Sequence, residues 1–355
     1  MGVFWTGVGL RNAGRWWRLG RSRLPLSGVH VYYGRDRLPG AGDVVAGGSV
    51  KFARLAVELP NEPSAWNILY LGSSALPVDA RALTATARAR GARFVLNQDG
   101  VLYPGLGIPD WERANRRAAR LVHAADHVFF QSAFAKESCD RFLGERTGAW
   151  EILHNAVDTT AFVPAPERRD SELTLLLGGS QYQRYRVDVA LRTLALLPDA
   201  RLLVTGALTF DKDATRITLA LADDLGVRSR LELTGPYRQS DAPALLQRAH
   251  LLLHTKVNDP CPGIVVEAMA CGLPVVYSAS GGVPELVGDT GVGVPAPHDF
   301  ERDHPPAPEE LAASVRDAVS RLETLAAAAR RRAVERFDIR PWIERHRQVF
   351  AELVS

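Results

Sequence analysis

The sequence predicts an α/β protein of two doubly wound, parallel-sheet domains that face each other across a cleft. Three observations lead there. At 355 residues the chain is too long for one ordinary hydrophobic core and suits two domains. Short apolar, β-rich runs alternate with longer helical patterns through most of it, as βαβ units do. The rhythm breaks once, over residues 158–170, where two prolines and little periodicity read as a linker.

Before that break, strands are expected over 29–33, 67–71, 93–97, 127–130 and 151–153. Helices are expected over 49–58, 78–90, 111–124 and 133–143. After it come strand 173–177, helix 187–197, strand 201–204, helix 214–225, strand 230–233 and helix 242–249. Strand 251–254, helix 263–271 and strand 274–278 follow, and the end is helical over 308–322, 325–337 and 340–353. The division this implies is a basic extension 1–27, a first domain 28–160, a linker 161–170, a second domain 171–337 and a final segment 338–355. Two such domains bind ligands in the crevice at their strand C-termini.

Composition narrows the classes of function. With 46% hydrophobic and 23% charged residues the chain is that of a folded protein, and a net charge of +3 argues against a protein that coats nucleic acid. Basic charge is concentrated at the start: Arg11, Arg15, Arg18, Arg21, Arg23 and Arg35 precede the first acid, Asp36, with Trp5, Trp16 and Trp17 among them. That mixture over residues 1–24 suits peripheral contact with an anionic membrane; the competing reading is a loose terminal extension. The arginines interrupt any signal-peptide core, and no run approaches the ~20 apolar residues of a membrane span. Cys139, Cys261 and Cys271 are too few and scattered for a disulfide framework or a zinc site, which makes the cytoplasm the expected compartment.

The chemistry concentrates between His254 and Pro295. An apolar strand ends at His254, and a loop with two prolines carries Asp259. A helix then opens near Pro262, holds Glu267 in its second turn and stops at Gly272. Both acids thus fall near a strand C-terminus, where the cleft opens. One strand later Gly281-Gly282 precede a short helix, an arrangement with free N–H groups for an anion. Acceptors for hydroxyls and donors for phosphate in one segment match the two ends of a nucleotide sugar. The plain alternative is an ordinary Rossmann half with capping glycines and a solvated acid.

This segment resembles the signature of the retaining glycosyltransferases of the GT-B fold (glycosyl transferases group 1, family 4 in the usual classification), the group that includes sucrose and glycogen synthases. The matching residues are Asp259, Glu267-Ala-Met-Ala-Cys-Gly-Leu-Pro-Val-Val276, Gly281-Gly-Val-Pro-Glu285 and Gly288-Asp289 with Gly291. Asp259 departs from the glutamate that many members carry. Ala125-Asp-His-Val128 with Gln131-Ser132, His154-Asn-Ala-Val-Asp158 with Phe162, and Asp199 through Gly206 extend the resemblance over residues 125–295. It implies two facing Rossmann-like domains with a donor cleft between them, and a last helix that crosses back to the first domain.

By the same resemblance, Glu267 should accept hydrogen bonds from the nucleotide ribose and Asp259 should hold hydroxyls of the transferred sugar. Backbone amides at Gly263 and Ile264 should help, with Gly281 and Gly282 near the donor. The family's Lys-Gly after the first strand of this domain is absent, so Arg184 and Arg186 are the candidates for the diphosphate, arginine being suited to bidentate phosphate contacts. In the first domain the glycine-rich loop with Gly47 and Gly48 can approach a phosphate or sugar closely. Asp99, at the end of a strand facing the cleft, is a candidate catalytic contact; the alternative is a turn with Gly100. His123 and His127 have i, i+4 spacing but straddle a helix-to-strand junction, so no metal is expected, nor any cofactor besides the nucleotide sugar co-substrate. The expected partners are a nucleotide sugar donor and a hydroxyl acceptor: a saccharide, a lipid-linked saccharide or a small natural product. Rival readings are an epimerase or phosphorylase on the same scaffold, and a catalytically silent nucleotide-sugar-binding subunit.

Overall fold

The structure, a computed structural model, describes residues 15–17, 19–25, 27–40, 43–44, 48–166 and 172–355. Its first sheet has five strands, β1 (Val31–Tyr32), β2 (Ile68–Gly72), β3 (Arg93–Gln98), β4 (His127–Phe130) and β5 (Ala149–Ile152), parallel and in that spatial order. Helices α1 (Ser49–Glu58), α2 (Ala80–Ala89), α3 (Trp111–Ala124) and α4 (Ala133–Leu143) connect them. Strands buried on both faces carry nearly unbroken apolar sequence, as in Ile68-Leu-Tyr-Leu71, where every residue is buried.

The second sheet contains β6 (Leu173–Leu177), β7 (Ala200–Thr205), β8 (Leu231–Gly235), β9 (Leu251–His254), β10 (Val275–Ala279) and β11 (Val292–Pro295). Its order is β11-β10-β9-β6-β7-β8, again parallel throughout. The helices are α5 (Arg184–Ala195), α6 (Ala214–Asp224), α7 (Ala242–Leu246), α8 (Gly263–Ala270), α9 (Val283–Val287), α10 (Pro308–Ser320), α11 (Leu322–Arg336) and α12 (Ile339–Val354). Chain direction across the sheet reverses between β9 and β6. In an open α/β sheet that reversal leaves a crevice at the strand C-termini.

Each sheet has a hydrophobic cluster on both faces. Helix α12 belongs, by contacts, to the first sheet: Trp342, Val349 and Phe350 join Tyr33, Phe52, Tyr70 and Phe129. At its centre His346 is fully buried, with Nδ1 2.8 Å from the Trp342 carbonyl and Nε2 3.0 Å from the Tyr70 hydroxyl. Those partners suit a neutral ring that donates from Nδ1 and accepts at Nε2, and burial pushes its pKa down to about 3.

Three element expectations need correction. Strand β11 is absent from the sequence reading because its Val-Gly-Val-Pro is short, glycine-bearing and lies at an edge. Strand β5 starts at Ala149 rather than 151; mostly exposed, it shows no apolar run. Helix α5 begins three residues before 187, which changes the surroundings of two arginines below.

Residues 1–14, 18 and 26 of the basic extension, residues 167–170 of the linker and residue 171 of the second domain lie outside the described residues. Of the rest, residues 15–17 and 19–21 are helical and docked: Leu19 is buried and Arg15 pairs with Asp79. Trp17 is 60% exposed, with the Arg21 guanidinium 3.8 Å from its ring centre. Among the described residues no helix is long and apolar enough to cross a membrane.

Candidate active site

The loop from β9 to α8 sits at the reversal point of the second sheet. Asp259 is nearly buried there, with Lys256 Nζ 3.1 Å from one carboxylate oxygen and His254 Nε2 3.3 Å from the other. Burial alone would raise its pKa. Lys256, His254 and Arg186 outweigh burial and hold the carboxyl well below the usual range. Lys256 in turn is raised despite its burial, chiefly by Asp259. The His254 ring is held down by burial. The result is an ionised carboxylate beside a fixed ammonium. Asn258 supports the loop from a left-handed backbone, φ 51°, a conformation that asparagine tolerates better than most non-glycine residues.

Glu267 lies one helix turn further in. Its Oε1 accepts from Arg54 Nη2 at 2.7 Å and Gln239 Nε2 at 2.9 Å. Arg54 comes from α1 and also donates to the Ala156 carbonyl at 2.6 Å, so it spans the two sheets. The first helical N–H groups lack intrahelical partners, and those of α8 belong to Gly263 and Ile264. A side chain at Gly263 would meet nothing within 4 Å, and the same holds at Gly179 in the loop after β6. Both glycines face open space. Ile264, by contrast, packs on Gly178, where an added Cβ would lie 2.6 Å from its side chain.

The arginine candidates separate. Arg186, 3% exposed, donates to the Ser180 carbonyl at 3.1 Å and acts electrostatically on Asp259. Arg184 occupies the first residue of α5, its side chain 59% exposed and paired with Asp188 one turn on. Among the described residues Arg184 pairs with Asp188 and faces solvent, whereas Arg186 acts on Asp259.

Gly281 and Gly282 also act differently from the expectation. A Cβ on Gly281 (φ 68°) would lie 2.6 Å from the Asp259 backbone, and one on Gly282 would lie 1.9 Å from the Pro260 carbonyl. The Gly282 amide is already given to the Asp259 carbonyl at 2.9 Å. This pair holds the acidic loop by close backbone approach and offers no spare N–H at Gly282 for phosphate. The following Glu285 reaches the first sheet, accepting from the α4 amides of Ala133 and Phe134 at 2.8 and 3.0 Å.

The first sheet contributes a second polar centre. Asp99, just after β3, is bound by Lys51, Gln131 and the Ser74 side chain, and accepts the Ser74 amide at 3.0 Å. Lys51 also donates to Asn97 at 2.6 Å, and Asn155 links Gln131 at 3.3 Å to the Cys261 carbonyl at 2.6 Å. Gly48 sits against this centre: a Cβ there would lie 2.1 Å from Ser74 Oγ and 3.2 Å from Asp99. Gly47 lies outside the described residues. Gly100 faces Pro260 across the cleft, 2.9 Å from an added Cβ, so Asp99 and Asp259 belong to opposite walls of one site.

Sequence reasoning missed Lys51, Arg54, Gln239 and Lys256. One signal was available: four lysines stand among 43 Lys and Arg residues, and two of them are buried in the cleft. His123 and His127 turn to separate partners, the Leu143 carbonyl at 3.0 Å and Glu151 at 3.2 Å. The three cysteines are free and buried.

Two facing α/β domains with paired acids and cations at the strand C-termini define the GT-B class of fold. Comparison with known proteins makes this more particular. Residues 172–319 match the family model described as Glycosyl transferases group 1. Over 183 residues the chain is 28% identical to a D-inositol 3-phosphate glycosyltransferase of Mycobacterium sp. (strain JLS), covering 49% of this chain and 42% of that one. The match therefore spans less than half of that relative's length. In structure the chain is similar to a sucrose-phosphate synthase from Thermosynechococcus elongatus (TM-score 0.68, 18% identity, 81% of this chain and 74% of that one). It is also similar to Anabaena HepE in complex with UDP and glucose (TM-score 0.67, 20% identity, 81% and 78%).

Proposed function

We propose that the protein is a retaining glycosyltransferase that moves a sugar from a nucleotide diphosphate sugar to a hydroxyl acceptor. The observation that carries this reading is the β9–α8 loop, with Asp259 ionised beside Lys256 and Glu267 buried a turn away, at a helix start whose Gly263 faces open space. The family match over residues 172–319 supports the same chemistry.

In this reading Glu267 takes ribose hydroxyls through Oε2, since Arg54 and Gln239 converge on Oε1. The diphosphate lies along the α8 N-terminus, where the Gly263 and Ile264 amides and the helix dipole meet it. Lys256 and Arg186 offset the charge that develops as the bond from the anomeric carbon to the phosphate oxygen breaks. Asp259 holds sugar hydroxyls. Asp99 and Lys51 line the opposite wall, where the acceptor enters. The acceptor oxygen bonds to the anomeric carbon on the face the phosphate leaves, and its proton passes to the departing phosphate oxygen. Neither acid forms a covalent intermediate. Fixed cations and dipoles serve the leaving group without a metal.

Peripheral contact with an anionic membrane, from the cytoplasmic side, fits the exposed Trp17 and the arginine beside it. UDP-, GDP-, ADP- and dTDP-sugars screened by thermal shift on the wild type and Glu267→Ala test the donor site. One donor should stabilise the wild type, and its affinity for the variant should fall about 10- to 100-fold, the worth of a charge-assisted hydrogen bond or two. A folded wild type that responds to none of them sinks the reading.

A further inference from the structure

Helix α1 belongs to the first sheet, where Phe52 and Leu55 bury it among Tyr33, Ile68 and Tyr70. Two cations leave the same side of that helix one turn apart, as i, i+3 neighbours do. Lys51 turns to Asn97 and Asp99 of its own domain. Arg54 turns to the other domain and is held at both ends of its guanidinium. Its Nη1 donates to the Ala156 carbonyl at 2.6 Å and its Nη2 to Glu267 Oε1 at 2.7 Å. The Phe162 ring centre lies 5.9 Å from the same group.

This fork decides what Glu267 can offer. Each carboxylate oxygen has about two lone-pair sites. Gln239 Nε2 takes the second site on Oε1 at 2.9 Å, so Arg54 and Gln239 together fill that oxygen. The hydrogen bonds that described residues make to this carboxylate both end on Oε1, which leaves Oε2 for a ligand. The side chains of Arg54 and Glu267 are 17% and 10% exposed, so solvent screens the pair little. A lysine would lack the planar fork that meets two acceptors in fixed directions. The orientation of the carboxylate therefore depends on a residue of the first domain, although the carboxylate itself belongs to α8.

We propose that Arg54 is a positioning residue for the donor site: by fixing Glu267 it makes the protein select ribonucleoside over 2′-deoxyribonucleoside diphosphate donors. This rests on the reading of Glu267 as the ribose contact and names the donor class more narrowly. A carboxylate with one oxygen filled and the other held in a set direction favours a hydroxyl placed to donate to it. Loss of the 2′-hydroxyl leaves that nearly buried oxygen without its partner, a cost that falls on the deoxy ligand alone. A carboxylate free to rotate turns to water instead and discriminates less. Because Arg54 comes from the first domain, the selection is complete only while α1 sits against α8.

Isothermal titration calorimetry on the full chain tests this with UDP, GDP and ADP, each beside its 2′-deoxy counterpart. The wild type should bind at least one ribonucleotide about tenfold or more tighter than its deoxy form, the effect of one charge-assisted hydrogen bond. Arg54→Met should narrow that ratio to within about twofold, chiefly by weakening the ribonucleotide, and Arg54→Lys should recover part of it. Arg54→Met combined with Glu267→Gln should bind the ribonucleotide no more weakly than Glu267→Gln alone, since Arg54 acts through Glu267. If Arg54→Met does not fold, Arg54→Gln carries the same expectation. A wild-type ratio that survives in the Arg54 variant overturns the proposal. Equal weakening of both nucleotide forms overturns it as well, being the mark of a purely structural role or of a direct phosphate contact. A wild type that binds nucleotide without preferring ribose, or binds none of these nucleotides, counts against the donor reading of Glu267, and this proposal falls with it.

Discussion

The two walls of the cleft are built by opposite strategies. On the second-sheet side, Lys256, Asp259 and Glu267 lie within twelve residues of one loop and helix, at a sheet reversal that fixes where a ligand sits. On the first-sheet side, Lys51, Asn97, Asp99, Gln131 and Asn155 come from α1, β3 and the loops after β3, β4 and β5. Among the described residues that sheet runs β1 to β5 without reversal. A wall made by one local segment keeps its chemistry while neighbouring elements change. A wall made from distant segments depends on every helix that positions it. In the proposed function, donor recognition belongs to the first and acceptor recognition to the second.

The comparison is most exposed at Lys256. If the local wall carries leaving-group charge, Lys256→Ala should lower turnover about 10²- to 10³-fold, the range for removing one preorganised charge or donor. Lys256→Arg should recover part of it. Turnover within a few-fold of wild type in the alanine variant would remove Lys256 from the mechanism.

Next comes Lys51. Lys51→Met leaves Asp99 nearly buried without its cation, which should cost about 3 kcal/mol or more of stability. Nucleotide binding should persist if the donor site lies on the other wall, as proposed. Denaturant unfolding of Lys51→Met, Asp99→Asn and the double variant forms a cycle. The double variant should be more stable than Lys51→Met alone, and strict additivity would argue that the pair is not coupled.

Acid should loosen the first domain through His346. Its pKa is about 3 in the fold against 6.5 unfolded, so the neutral ring stabilises the fold fully above pH 6.5. That stability is lost as pH falls from 6.5 towards 3, at about 1.4 kcal/mol for each unit of pKa difference. Tyr70, the Trp342 carbonyl, Lys51, His127 and Arg345 face the ring, and no carboxylate among its named neighbours meets the new charge. His346→Gln, measured by denaturant unfolding across that window, should lose less stability than wild type. Asp259 adds a loss of the same sign at lower pH, because its pKa is depressed.

The smallest effect belongs to Arg184. An exposed pair one helical turn apart contributes a few tenths of a kcal/mol at most. Arg184→Ala should keep turnover within about twofold and stability within about 0.5 kcal/mol. A tenfold loss of donor affinity would instead put that residue in the site.

Much of this molecule was written locally. Strand and helix alternation, the break after residue 158, and the Asp259-to-Glu267 spacing are properties of short windows, and so is the two-sheet architecture they predict. The errors share a cause. Arg184 and Arg186 look equivalent in sequence, but a helix that starts at residue 184 turns one outward and buries the other. Gly281-Gly282 reads as an anion site, but its amide and its missing side chains serve the Asp259 backbone. Local pattern determined which residue types stand near a strand end. Only tertiary packing decided that Arg54 crosses from α1 to Glu267, that Lys51 meets Asp99 from 48 residues away, and that Phe300 packs against Tyr103 and Phe134. Those contacts join segments far apart in the chain, and no periodicity or spacing within one segment encodes the partner it will meet.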